Sequence, residues 1–443
     1  MITTNYSCRN CTALGVTSGT SRRAERPSGM PVYVLGEVAS QMRADPKQCR
    51  SGGRRFLLFV EHIWTERGHC GGTVGRGDVC MGQPTDTLWN SQPRTLLKHQ
   101  AYRQYLHCWM GKICQKFPRS AIVDAFAGPG VYLDGPDGSP VVIAKTFLEH
   151  SRVKAFNLLQ LICLEKRPDR RDSLDRCVGR LPKVPRLDVE VPPPCSIQEC
   201  FKAVRTASHG GDPATPVLWI LDPFDISSLP FALVQACLAG PRDEVLLTWF
   251  ADELYRFCED PSKEGAIDRH FGSADWREAR QGGSESARKE KLLEIYQTGL
   301  QSLRGIHTGA LQIASKNETA RYALVFATHS DKGMECFNDM KWRMDPYRGR
   351  QVSEKRSLSQ PGLFDDMPVL TTLRGWLTSL AGQALSFDEL TRQAGRLGFK
   401  VTHLRSELSV LAEEGLAVRE YPLDHTRTPW PEDSKIRFYA PPS

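Results

Sequence analysis

The period of apolar positions changes at Leu88. Upstream, residues 1–86 carry SRRAERPSG, DPKQCRSGGRR and GHCGGTVGRGDVCMGQP, and only RRFLLFVEHIW resembles a short apolar element. Segments this rich in Gly, Arg, Ser and Pro bury too little surface to offset the entropy of ordering, so residues 1–86 are expected to be a disordered extension. From Leu88 onward Leu96, His99, Tyr102, Tyr105, Leu106, Trp109, Met110 and Ile113 recur at three- and four-residue spacing. That spacing predicts an amphipathic helix, which Pro118 stops. Apolar runs and helical stretches then alternate. AIVDAFA (121–127), NLLQLICLE (157–165), RLDVEV (186–191), VLWILDPF (217–224) and DEVLLTWF (243–250) read as strands. Between them, residues 139–150, 170–181, 196–208 and 230–240 read as helices, the first with Ser139 as N-cap and Pro140 at the first helical position. Near-continuous apolar strands separated by single helices indicate a parallel sheet covered on both faces.

The order then breaks. A helix over 285–303 precedes two strands, GALQIAS (309–315) and RYALVFATH (321–329), joined by KNETA. That link is too short for a parallel crossover, so the pair is antiparallel. A further helix closes an α/β domain over residues 87–347. Residues 348–368 are polar and marked by Pro and Gly, as a linker would be. Residues 369–443 read helix, helix, helix, hairpin, the pattern of a winged helix.

The 443 residues carry 58 basic and 51 acidic side chains. Twelve basic and 7 acidic residues lie in 1–94, so the excess sits at the N-terminal end and the body is nearly neutral. A strong electrostatic footprint for duplex nucleic acid is therefore missing. Residues 385–443 hold 8 basic and 9 acidic side chains, and the expected recognition helix (402–415) offers Arg405 against Glu407, Glu413 and Glu414. Protein contact, a lid over the sheet and DNA binding all stay open for this module. No apolar run reaches the roughly 20 residues of a membrane span. The opening MITTNYSCRNC lacks the regions of a signal peptide, so a cytoplasmic location is expected. Of fourteen cysteines, nine (108, 114, 163, 177, 195, 200, 237, 258 and 336) lie mostly in apolar segments, where free cysteine behaves as a small hydrophobe. Cys8 and Cys11 form a CxxC with His62 and His69 downstream, but no second half at metal-ligand spacing follows, and no metal is expected.

Candidate chemistry gathers at three strand ends. Asp124-Ala-Phe-Ala-Gly-Pro-Gly130 lies where the first strand turns toward a helix. Open α/β sheets bind ligands there, and Gly128 and Gly130 would let the backbone approach one closely. Asp124 can accept hydrogen bonds from a ligand's amino group or from loop amides. Glu165 ends the second strand and is placed to bind a ribose diol. Its 41-residue spacing from Asp124 is explained by the loop Val131–Gly138. Asp222-Pro223-Phe224-Asp225 follows the fourth strand; Asp-Pro can also simply begin a turn. The third strand ends in Val191-Pro-Pro-Pro194, without an acidic residue to assign to adenine. His270 and His329 read as packed residues more readily than as bases.

The first of these runs, with Asp124, Phe126, Gly128 and Gly130, resembles motif I (DxFxGxG) of S-adenosylmethionine enzymes. The five parallel strands with a terminal antiparallel hairpin outline a Rossmann-like class I methyltransferase sheet. Asp222-Pro-Phe resembles the (D/N/S)PP(Y/F) turn of amino-methyltransferases, one proline short. Together with Asp134-Gly135, Gly138-Ser139-Pro140, His270-Phe-Gly272, Trp276 and YALVFATHSDKGM, these features resemble the three-Cys-motif partner family (TcmP) from about Leu88 to Trp342. The resemblance implies S-adenosylmethionine as cofactor, held by Asp124, Phe126, Gly128, Gly130 and Glu165. It implies a reaction centre at Asp222, Pro223 and Phe224. It also implies association with a radical-SAM-type protein that carries a three-cysteine motif. Three functions follow as expectations: methyl transfer to a nitrogen, with a nucleic-acid base as leading acceptor; a non-catalytic adaptor; and a winged-helix regulator.

Overall fold

A computed structural model describes residues 85–315, 320–354, 368–421 and 430–440. Nearly all of the extension, the Cys8/Cys11 and His62/His69 group, and most of the expected linker lie outside these residues. The α/β body begins with α1 (Pro93–Lys116), whose buried stripe includes Leu97, Ala101, Tyr102, Tyr105, Trp109 and Met110. It continues through β1 (Arg119–Asp124), α2 (Ser139–Leu148), β2 (Leu158–Cys163), α3 (Pro168–Gly179), β3 (Leu187–Glu190) and α4 (Ile197–His209). Next come β4 (Val217–Leu221), α5 (Phe231–Cys237), β5 (Asp243–Trp249), α6 (Ala251–Phe257), α7 (Glu264–Phe271) and α8 (Glu285–Gln301). The hairpin β6 (His307–Ala314) and β7 (Ala320–Thr328), then α9 (Asp331–Met344) and β8 (Gln351–Ser353), complete the body.

The eight strands run in the order β3-β2-β1-β4-β5-β7-β6-β8. β1 to β5 are parallel, and β7 is antiparallel to both β5 and β6. This is the expected methyltransferase-like, Rossmann-type sheet. Period-two alternation divides each central strand between two layers: Val123, Trp219, Leu221 and Val245 pack beneath α4, α5 and α8, while Ile122, Leu218, Ile220 and Leu246 pack beneath α1, α2 and α9. Both faces are dry, which is why these strands read as unbroken apolar runs.

Several local expectations are corrected. Gly138, not Ser139, takes the cap position of α2, and Ser139 is the first helical residue. Residues 351–353, read as part of the linker, pair with β6 in parallel. Helices α6 and α7 occupy a stretch left unassigned from sequence. Cys108 and Cys336, read as free thiols, are joined in a disulfide between α1 and α9. The two helices lie side by side on one sheet face, bringing the Cα atoms to 5.5 Å, within disulfide range.

Residues 368–421 and 430–440 form α10 (Thr371–Ser379), β9 (Ala384–Ser386), α11 (Phe387–Arg396), α12 (Val401–Glu413), β10 (Ala417–Tyr421) and β11 (Lys435–Phe438), with strand order β10-β11-β9. Leu373, Leu377, Leu390, Leu404, Leu408 and Ile436 make their core, into which Trp342 of α9 inserts. Asn338 Nδ2 donates to the Gly395 carbonyl (2.7 Å) and Trp342 Nε1 to that of Gly398 (2.8 Å), so α9 carries this module. Among the described residues no helix is long and apolar enough to cross a membrane.

The disulfide spans 228 residues, so it should constrain the unfolded chain strongly. Replacing both cysteines by serine should lower the unfolding free energy by roughly 2–5 kcal/mol in urea titrations. An unchanged midpoint would mean that the cross-link does not form.

Candidate functional site

The carboxyl ends of β1, β4 and β5 open onto a cavity of about 590 Å³. The loop after β1 builds one wall. Gly128 and Gly130 have φ of +64° and +81°, the left-handed region that glycine tolerates. The Gly138 amide donates to the Gly130 carbonyl at 2.8 Å, and a Cβ on Gly138 would fall 2.8 Å from the Gly130 carbonyl carbon. The Val131–Gly138 excursion thus folds back on itself and delivers the chain to α2, which accounts for the long spacing to Glu165.

Asp124 ends β1, fully buried beneath this loop. Its Oδ1 accepts from the Phe126 amide (3.4 Å), and among the described residues Oδ2 has no hydrogen-bond partner. Burial raises its pKa to about 7, against the lowering effect of the Ser139 hydroxyl. Phe126, Gly128, Gly130, Asp222, Pro223 and Phe224 line the cavity together; Asp124 lies behind its wall. Glu165 opens instead onto a small neighbouring pocket of about 40 Å³, with Arg170, Cys195, Ser196 and Gln198. Its Oε1 accepts from the Arg167 amide at 2.7 Å, and burial shifts its carboxyl upward.

Phe126 and Phe224 line both spaces. Phe224 is not an open stacking platform. Its ring meets Trp89 edge-on at 5.8 Å, and the Arg170 guanidinium lies 4.7 Å from the Trp89 ring centre and 5.5 Å from that of Phe224. Trp89 belongs to a strap over residues 85–92. Arg167 and Arg170 donate to the carbonyls of Thr85 (2.7 Å) and Asp86 (3.0 Å), and Ser91 donates twice to Asp134 (2.8 and 2.7 Å).

Lys98 of α1 was missed from sequence. Its ammonium forms an ion pair with Asp222 Oδ2 on the cavity floor. The available signal was a lysine one turn before Tyr102 on an otherwise apolar helical stripe. Neighbouring His99 is pushed down to about 3, first by burial and then by Lys98, so it stays neutral. His270 is fully buried, its Nδ1 donating to the Leu229 carbonyl at 2.9 Å and its ring stacked on Tyr296. His329 Nε2 donates to the Leu238 carbonyl at 3.0 Å. Both are packed residues. Among the described residues no His, Cys, Asp and Glu cluster suits a metal ion.

No protein-family model matches the chain, and no curated protein matches its sequence. Among solved structures, a candidate O-methyltransferase from Klebsiella pneumoniae is 11% identical with a TM-score of 0.29, over 62% of this chain and 97% of that one. Cofactor-bound Rv0187 from MTB is 12% identical with a TM-score of 0.28, over 54% of this chain and 90% of that one.

A carboxyl whose pKa rises from 3.8 to about 7 on folding favours its protonated form in the folded state, so it destabilises the chain as pH rises through that window. Asp124→Asn should therefore stabilise the ligand-free protein at pH 8 by on the order of 2–4 kcal/mol, with the gain shrinking toward pH 4. Thermal unfolding of both forms across this range checks it.

Proposed function

We propose that this chain binds S-adenosylmethionine at the ends of β1 and β2 and transfers its methyl group to an acceptor in the 590 Å³ cavity. The observation that carries the reading is Asp124: a fully buried carboxylate with an unpartnered oxygen beneath a glycine turn. Such an oxygen calls for a cationic donor, and the cofactor's ammonium group is one. Glu165, with Oε2 free of the Arg167 amide, would take the ribose hydroxyls. The bound cofactor supplies a methyl group activated on a sulfonium. The protein's part is to position it against the acceptor and keep water out.

The finer expectation of a nucleic-acid base nitrogen loses support. The Phe224 ring is engaged by Trp89 and Arg170, and one Asp222 oxygen is engaged by Lys98. We read residues 369–443 as a winged helix that faces protein rather than DNA. Arg405, the one basic residue of α12, lies with its guanidinium 5.0 Å from the Phe387 ring centre, its Nε buried.

A second reading, the adaptor paired with a three-cysteine radical-SAM-type protein, is favoured by one feature. The Trp89–Arg170–Phe224 stack divides the Glu165 pocket from the larger cavity, so a cofactor spanning both must open it.

Calorimetric titration of S-adenosylmethionine into the full chain separates the two. Binding to an ionised Asp124 should be about tenfold weaker at pH 6 than at pH 8, because the proton must leave first. Asp124→Ala and Glu165→Ala should each abolish or strongly weaken binding. No heat with the unmutated chain supports the adaptor.

A further inference from the structure

We propose that Lys98 makes the cavity selective for a flat acceptor bearing an anionic oxygen, of the aromatic carboxylate class. This deepens the methyl-transfer reading and rests on it for the reaction, though not for the binding. Lys98 is only 8% exposed, yet it lines the cavity rather than the core. An ammonium has three donors, and one is used by Asp222 Oδ2. The others find no partner among the described residues, and a buried charged group with free donors is costly unless a ligand completes it. The cavity lining holds Arg94, Lys98, Arg256 and Arg321 against Asp222, Asp252 and Glu253. Burial holds the Glu253 carboxyl at about 7, so it offers less than a full negative charge at neutral pH. Arg321 is paired with Asp252, and Arg94 with Glu354 outside the lining (4.0 Å), so the positive character of the cavity comes from Lys98 and Arg256. An exocyclic amine acceptor gains nothing from an ammonium facing it, whereas a carboxylate gains a charge-assisted hydrogen bond.

The walls suit a flat acid. Trp89, Phe126, Tyr132, Phe250 and Tyr322 surround the space with aromatic surface. In the transfer the acceptor oxygen, already ionised, would form the new C–O bond with its own electron pair. The methyl–sulfur bond breaks with its pair kept by sulfur, giving a methyl ester and a neutral thioether. No proton has to move, and Lys98 would act by binding and orienting the oxygen.

Benzoate and its neutral isostere benzamide test this by calorimetry on the full chain, without turnover. Benzoate should bind about tenfold or more tightly than benzamide, the value of one charge-assisted hydrogen bond. Lys98→Met should erase that preference and Lys98→Arg should retain most of it. Lys98→Met leaves Asp222 unpaired and can unfold the chain, so Asp222→Asn provides an independent measurement. Removing the competing carboxylate should tighten benzoate severalfold and leave benzamide unchanged. Equal affinity for the two ligands, binding of neither, or an unaltered benzoate affinity in Asp222→Asn overturns the proposal. Absence of S-adenosylmethionine binding, with the benzoate preference intact, overturns the cofactor reading alone.

Discussion

Much of the molecule hangs on the carboxylate of Glu244, at the start of β5. It is fully buried and accepts from Tyr105 Oη (3.1 Å), Trp109 Nε1 (2.6 Å) and Thr328 Oγ1 (2.7 Å). Three donors from α1 and β7 converge on one acceptor, in a place where an unsatisfied charge would be severely penalised. The same carboxylate dictates the residue opposite. A Cβ at position 333 would lie 2.3 Å from Glu244 Oε1, so α9 can approach only with glycine there. Glu244 thus fixes two of the three helices that cover this face of the sheet, α1 and α9. α1, 24 residues long, is a rod of about 36 Å. Pinned at Tyr105 and Trp109, it projects Lys98 to the strand ends. α9 carries Asn338 and Trp342 outward to hold the C-terminal module.

Legibility in the sequence followed this division between local and distant causes. The central parallel strands were readable because they are buried on both faces and therefore largely apolar, as in Val217–Leu221. The glycine turn was readable because close approach and positive φ both demand glycine at 128 and 130. Lys98 and Trp89 were not, since their roles arise from contacts across about eighty or more residues of chain, with Asp222 and with Arg170 and Phe224 respectively. The Cys108–Cys336 bond is a product of helix adjacency, and two cysteines among fourteen carry no local mark of it. β8 is three residues long, with only the pairing to β6 to define it. Helices α6 and α7 were hidden by charged, Pro-interrupted sequence whose apolar residues, Leu254, Ile267 and Phe271, are too sparse to show a period.

The resemblance carried by motif I and the Asp222-Pro-Phe turn is uneven when set against geometry. The glycine loop folds back on itself above Asp124, which is buried at the end of β1. The turn has one proline fewer than the motif, and its Phe224 ring is held in the stack with Trp89 and Arg170 at the cavity wall. That stack is anchored by the 85–92 strap, whose hydrogen bonds are mostly to backbone and therefore tolerant of side-chain identity. What resembles an amino-methyltransferase turn in sequence is thus a different surface in space, governed by a segment outside the motif.

Two carboxylates at adjacent strand ends bring these points together. Asp124 and Asp222 follow neighbouring strands β1 and β4, yet they are neutralised differently. Asp222 is paired in advance by Lys98, so its site presents spare donors and suits a negative ligand group. Asp124 has no such partner among the described residues and burial raises its carboxyl to about 7, so a bound cation would favour its ionised form. On the proposed reading, a single sheet edge offers one position for an anion and one for a cation. The difference traces to one lysine on a helix set by Glu244.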